Sequence, residues 1–269
     1  MIARRRLPIW ALLGLSVMFV LVPQTVSLFT FGVDRISGGY ESVGSAIASE
    51  MVPDFGGAVI AAIAIGMLGW WALVWREPLR TNQWVWIVPI TLLGFSVVVT
   101  DYANLAQVGP ALVATLAVST LATGLSEELM FRGIALQAFR DRVSEGWAAA
   151  LSSGLFGALH LINALVTGSG AIVQALLASV LGYFLYLTRR VSGGILLPIV
   201  VHWIFDFSAF STDIGLQEPP TSDTAFYGLL VVLALSLVLL VMRRRITPAR
   251  QPRTSDDPLG GPGLASHEI

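Results

Sequence analysis

Long apolar stretches alternate with short polar breaks along most of this chain. A helix needs about 20 apolar residues to cross a hydrocarbon core of roughly 30 Å, and a backbone in lipid must satisfy its own hydrogen bonds, which favours helices. The pattern predicts eight spans, at about residues 8–31, 55–75, 84–101, 108–138, 146–164, 170–188, 191–210 and 224–242. Pro53, Pro78 and Pro110 mark the early breaks, and Arg189, Arg190 and Ser192–Gly193–Gly194 turn the chain between the sixth and seventh spans. The opening apolar run is too long for the core of a signal peptide, and no small-x-small cleavage site follows it directly. From about residue 246 the chain is rich in Pro, Gly, Ser and Asp, which predicts a disordered cytoplasmic tail. The expected architecture is an all-α, polytopic membrane helix bundle over 1–245 followed by a tail over 246–269.

Composition agrees. Hydrophobic residues make up 55% and charged residues 12%, against about 25% charged in an average soluble domain. Mean hydropathy is +0.76. These values argue against a soluble enzyme, a nucleic-acid binder and a disordered protein. The chain has no Cys, so disulfides, thiolate catalysis and Cys-ligated metals are excluded. It also has no Lys, and its 16 basic residues are all Arg. That points to an arginine-favouring genome and a prokaryotic plasma membrane.

The arginines also set an orientation. With the N-terminus inside, the inner segments hold Arg4–Arg6, Arg76, Arg80, Arg140, Arg142, Arg189, Arg190, Arg243–Arg245, Arg250 and Arg253, which is 14 of the 16. Arg35 falls outside and Arg132 within a span. Asp34, Glu41, Glu50, Asp54, Asp101, Asp213, Glu218 and Asp223 fall outside. The positive-inside rule then predicts both termini in the cytoplasm.

Ionisable groups within a span cost about 2.5–3.5 kcal/mol each on insertion scales. Six are expected here: Glu127, Glu128 and Arg132 in the fourth span, His160 in the fifth, and His202 and Asp206 in the seventh. Glu128–Arg132 and His202–Asp206 are each i, i+4 pairs, so each pair shares a helix face. Phe156 and His160 repeat that spacing. A structural reading explains each alone: an ion pair, a satisfied histidine, a packing Phe156. It explains poorly why the costly residues concentrate between 127 and 206, while the first three spans hold almost none. Gathering them into one internal, wet cavity is the cheaper arrangement, and that cavity is expected to open mainly to the cytoplasm.

Three motifs carry a resemblance. Ser126–Glu127–Glu128–Leu129–Met130–Phe131–Arg132–Gly133 fits EExxxR, Phe156–Gly157–Ala158–Leu159–His160 fits FxxxH, and His202–Trp203–Ile204–Phe205–Asp206 fits HxxxN/D. In that order they resemble the CAAX-protease and bacteriocin-processing family of intramembrane endopeptidases, also called the abortive-infection family. The resemblance covers about residues 108–210. It implies hydrolysis of peptide bonds in membrane-associated or hydrophobic substrates, with Glu127 as the base that activates water. Eukaryotic members trim prenylated C-termini; in a prokaryote, peptide maturation or bacteriocin self-immunity is expected instead.

The residues themselves suggest the same division of labour. Arg132 can neutralise Glu128, which leaves Glu127 as the base. His160 would help hold the water or relay its proton. His202, oriented by Asp206, would stabilise the oxyanion or protonate the leaving amine. The motif often ends in Asn, which can donate to an oxyanion, whereas Asp206 donates only when protonated. No cofactor is required by this scheme. Zinc is the open alternative, with Glu127, His160 and His202 as its ligands. A non-catalytic scaffold or immunity protein is the competing function, and a proton-coupled transporter a more distant one. The expected partners are the lipid bilayer and a membrane-associated peptide or protein substrate.

Overall fold

The computed structural model describes residues 6–36, 38–163, 170–216 and 224–246. The tail expectation therefore lies almost wholly outside the described residues. Within them the chain is all-helical with no strand; Arg76 and Gly194 form an isolated bridge.

Helix α1 spans Ile9–Phe31, α2 spans Val43–Leu68, and α3 spans Ile87–Val99 after a 3-10 turn at Gln83–Trp86. A 58° bend leads from α3 into α4, Tyr102–Val108. The long α5 spans Pro110–Arg140. Then follow α6 at Glu145–Leu159, α7 at Gly170–Ser192, α8 at Leu196–Phe210 and α9 at Thr224–Val241.

The helices follow the eight apolar segments in order, but not all have the expected length. Among the described residues four helices are long and apolar enough to cross a membrane (α1, α2, α5 and α7), or five with the bent α3–α4 pair counted as one. Helices α6 and α8 have 15 residues each, about 22 Å at 1.5 Å per residue, short of a roughly 30 Å core. The second span also starts earlier than expected. Ser42 caps it in a reciprocal box with Ser45, the helix passes through a π turn at Ile47–Met51, and Pro53 sits where a new first turn tolerates it. It ends at Gly69, whose φ of 69° is left-handed. Trp71–Trp75, expected within this span, is a separate short helix.

Large apolar side chains point outward, including Phe29 at 86% and Val98 at 81% exposed, while Ser16, Ser27, Ser96, Ser119 and Thr120 are buried. This inverted pattern suits a bundle in lipid, where small and polar residues let helices approach closely. Gly124 on α5 shows why: a Cβ there would lie 3.1 Å from the Ile199 carbonyl and from the Trp203 amide on α8. Trp203 does not face lipid alone; its Nε1 donates to the Ala117 carbonyl at 2.8 Å.

The arginines gather at one end of the bundle. Glu77 accepts from Arg140 and Arg189 at 2.8–3.1 Å, and Arg140 also donates to Glu145. Arg190 donates to the carbonyls of Leu79 and Arg80, and Arg142 to that of Leu7 ahead of α1. At the other end Asn104 donates to the carbonyls of Ser211 and Ile214, and the Gly215 amide to that of Tyr40.

Candidate active site

The site is built around α5, where the helix widens. Glu128–Ala135 form a π stretch, closed by the Leu136 amide donating to the Phe131 carbonyl five residues back. All eight residues of the stretch are buried. Such wide turns recur at functional sites.

Glu128 and Arg132 are fully buried and paired, Nη1 to Oε1 at 2.7 Å. The Arg132 guanidinium lies 4.6 Å from the centre of the Phe156 ring. Phe156 does more than fill space. Its ring meets His160 edge-on at 4.8 Å, His202 edge-on at 5.9 Å and Phe131 at 5.0 Å.

The His202 ring inserts between the two acids of α5. Its Nδ1 is 3.1 Å from Glu128 Oε1, and its Nε2 is 3.4 Å from both Glu127 Oε2 and Asp206 Oδ2. The nearest carboxylate to the ring is thus Glu128, on the opposite nitrogen from Asp206, so both acids orient it. A neutral imidazole has one N–H to donate. With both nitrogens facing carboxylates, the arrangement is favourable when the ring or one carboxyl group carries an additional proton. The cluster therefore favours one shared proton between the ring and its carboxylates.

His160 closes α6, with Nδ1 2.9 Å from the Phe156 carbonyl. A carbonyl only accepts, so Nδ1 carries the hydrogen and Nε2 is the basic nitrogen.

Glu127, His160, His202, Asp206 and Phe156 line one cavity of about 490 Å³. Sequence reasoning missed two further acids on its wall, Glu50 and Asp54. It placed them in an outer loop because Pro53 read as a break. Their i, i+4 spacing behind the Ser42 cap was the available signal. Asp54 accepts a hydrogen bond from Thr123, one helical turn before Glu127.

The cavity does not lean toward the arginine end as expected. Gln24 on α1, Glu50 and Asp54 early in α2, Ile162 just beyond α6 and Phe210 at the end of α8 all line it. Each lies in the half of its helix remote from the arginines. Glu127 precedes Arg140 by 13 residues, about 20 Å of helix, so the acidic pair sits deep in the bundle.

Among the described residues, no three or more His, Asp or Glu are arranged to hold a metal ion. As placed, Glu127, His160 and His202 do not form a zinc site.

Residues 109–208 match the family model described as Rce1-like, type II CAAX prenyl endopeptidase. This segment is Rce1-like. No curated protein and no solved structure matches the chain. The Rce1-like segment runs from the start of α5 to near the end of α8 and contains all seven motif residues. It leaves out α1 and α2, so Glu50 and Asp54 reach the cavity from outside it. The matched family is one of endopeptidases, and the several apolar helices around the segment suggest a multi-pass membrane protein.

Proposed function

We propose that this chain is an intramembrane endopeptidase that hydrolyses peptide bonds in membrane-associated or hydrophobic substrates. The observation that carries the proposal is the seating of His202 between Glu127 and Glu128, on the wall of a cavity shared with His160. Three separate motifs of an endopeptidase family meet there.

Peptide hydrolysis needs an activated water, a stabilised oxyanion and a proton for the leaving amine. Glu127 takes the proton from water as the oxygen attacks the carbonyl carbon. His160, whose Nε2 is the acceptor nitrogen, holds that water. His202 donates to the oxyanion. The proton held by Glu127 then passes to the amine as the C–N bond breaks. Glu128, paired with Arg132, keeps the His202 ring in place, and Asp206 shares its Nε2. Phe156 is the packing hub for both rings. This scheme runs on glutamate and histidine alone, and zinc held by Glu127, His160 and His202 is the alternative that the test below separates from it.

The proposed topology is N-in and C-in with eight passes, the shorter helices α6, α8 and α9 crossing a locally thinned bilayer. The arginine end, from Leu7 to Arg245, supports that orientation in a prokaryotic plasma membrane. It also puts the mouth of the cavity on the outer side.

The test is purified full chain in detergent against a library of hydrophobic and lipid-anchored peptides. Wild type should cleave, and should keep cleaving after exhaustive chelation. Glu127→Gln and His160→Ala should lose at least about 100-fold. Unchanged cleavage by Glu127→Gln would sink the assignment of the base, and loss on chelation with rescue by zinc would sink the metal-free scheme.

A further inference from the structure

A second cavity of about 450 Å³ opens between α6, α7 and α9, and it shares no lining residue with the catalytic one. We propose that it binds an acyl chain of an anionic phospholipid whose phosphate pairs with Arg243.

The groove exists because α9 packs on α3 and α7 and leaves α6 uncovered. Small residues, Ala150 and Gly154 on α6 and Ser236 on α9, keep it open. On α9, Ser236, Leu239 and Leu240 line it at i, i+3 and i+4, and Arg243 joins them from the 3-10 turn that follows the helix. One face of α9 and the turn after it therefore run from apolar wall to cation. That sequence matches a lipid read from tail to headgroup.

Two observations separate this groove from an ordinary lipid-facing crevice. The first is the state of its cations. Arg140 and Arg189 are neutralised by Glu77, whereas Arg243, Arg244 and Arg245 have no carboxylate partner among the described residues. Their backbone is nevertheless fixed: Asn82 and Trp84 donate to the Arg245 carbonyl, and Thr81 to that of Ile246. Arg243 thus lines the groove with no carboxylate against it among the described residues. The second is Ser153 on the groove wall, 4% exposed, whose hydroxyl has no hydrogen-bond partner. Rotation about its χ1 would turn this enclosed hydroxyl toward the groove, where an ester carbonyl of a phospholipid supplies the missing acceptor. Basic residues at the cytoplasmic end of a membrane helix favour anionic headgroups. A zwitterionic lipid brings its own cation against Arg243 and loses that preference.

Native mass spectrometry of the full chain, released from micelles doped with phosphatidylglycerol or phosphatidylcholine, tests the proposal. Wild type should retain one phosphatidylglycerol in preference to phosphatidylcholine. Arg243→Gln should weaken that retention about fivefold, the scale of one lost basic contact at a membrane surface, with phosphatidylcholine unchanged. Arg244→Gln, which does not line the groove, should have a smaller effect. Gly154→Phe fills the groove, since a Cβ at Gly154 meets nothing within 4 Å, and should lose the retained lipid with the fold intact. Equal retention of the two lipids by wild type, equal losses in Arg243→Gln and Arg244→Gln, or wild-type retention by Gly154→Phe would each overturn it.

Discussion

The pair Glu128–Arg132 makes a sharp test of how the site is held together. Both side chains are at most 1% exposed and their contact is 2.7 Å. Removing one partner of such a pair leaves a buried charge uncompensated, at a loss of about 3–5 kcal/mol. The two removals are not equivalent here. In Arg132→Gln, Glu128 keeps His202 Nδ1 at 3.1 Å, and the ring can take up the counter-charge. That variant should fall near the low end, about 3 kcal/mol. In Glu128→Gln, the Arg132 guanidinium loses its paired carboxylate and keeps the face of Phe156 and the more distant Glu127. That variant should fall near the high end, about 5 kcal/mol. The double variant Glu128→Gln/Arg132→Gln leaves no orphaned charge, so it should be less destabilised than Glu128→Gln alone. Equilibrium unfolding of the four proteins in mixed micelles gives the cycle. A double variant that loses the sum, about 8 kcal/mol, would mean that the two groups act independently, and the ion-pair account of the site would be wrong.

Gly157 should not tolerate a methyl group: a Cβ there would run into Ser179 Oγ and the Ala175 carbonyl on α7. Gly157→Ala should lose about 1–3 kcal/mol of unfolding stability, and a wild-type value would refute the close α6–α7 contact. Glu77 lies outside the helices, and although burial pushes its carboxyl up, the guanidinium groups of Arg140 and Arg189 outweigh this and hold it below its ordinary 4.5. A lowered carboxyl contributes stability above its ordinary value and loses it as pH falls through the depressed one. The stability gap between wild type and Glu77→Gln should therefore stay constant from neutral pH downward and close only below pH 4.5; a gap that closes nearer neutrality would contradict the pairing. Because the chain has no cysteine, Gln24→Cys on the cavity wall can be probed cleanly. It should react with a membrane-impermeant thiol reagent added outside the cell, while Arg142→Cys should react only after permeabilisation, and the reverse pattern would invert the proposed topology.

What could be read in the sequence was what membrane burial makes conspicuous. A charge in a span is costly, so Glu127, Glu128, Arg132, His160, His202 and Asp206 stood out, and i, i+4 spacing alone paired Glu128 with Arg132 and His202 with Asp206. The same logic failed for Glu50 and Asp54. They precede the apolar run and sit beside a proline, so periodicity assigned them to a loop, while a capped start and a π turn carry the helix through them. The acidic charge thought to lie in outer solvent instead lines the cavity. Helix direction was legible, but depth was not, because depth depends on where helices start and on wide turns that no apolar pattern marks. Nor did the pattern distinguish arginines that only obey the positive-inside rule from those that clasp Glu77. Both kinds follow a span, and the difference lies in a carboxylate more than 60 residues away in sequence from Arg140. Arg243–Arg245, which face no carboxylate among the described residues, become meaningful only against that contrast.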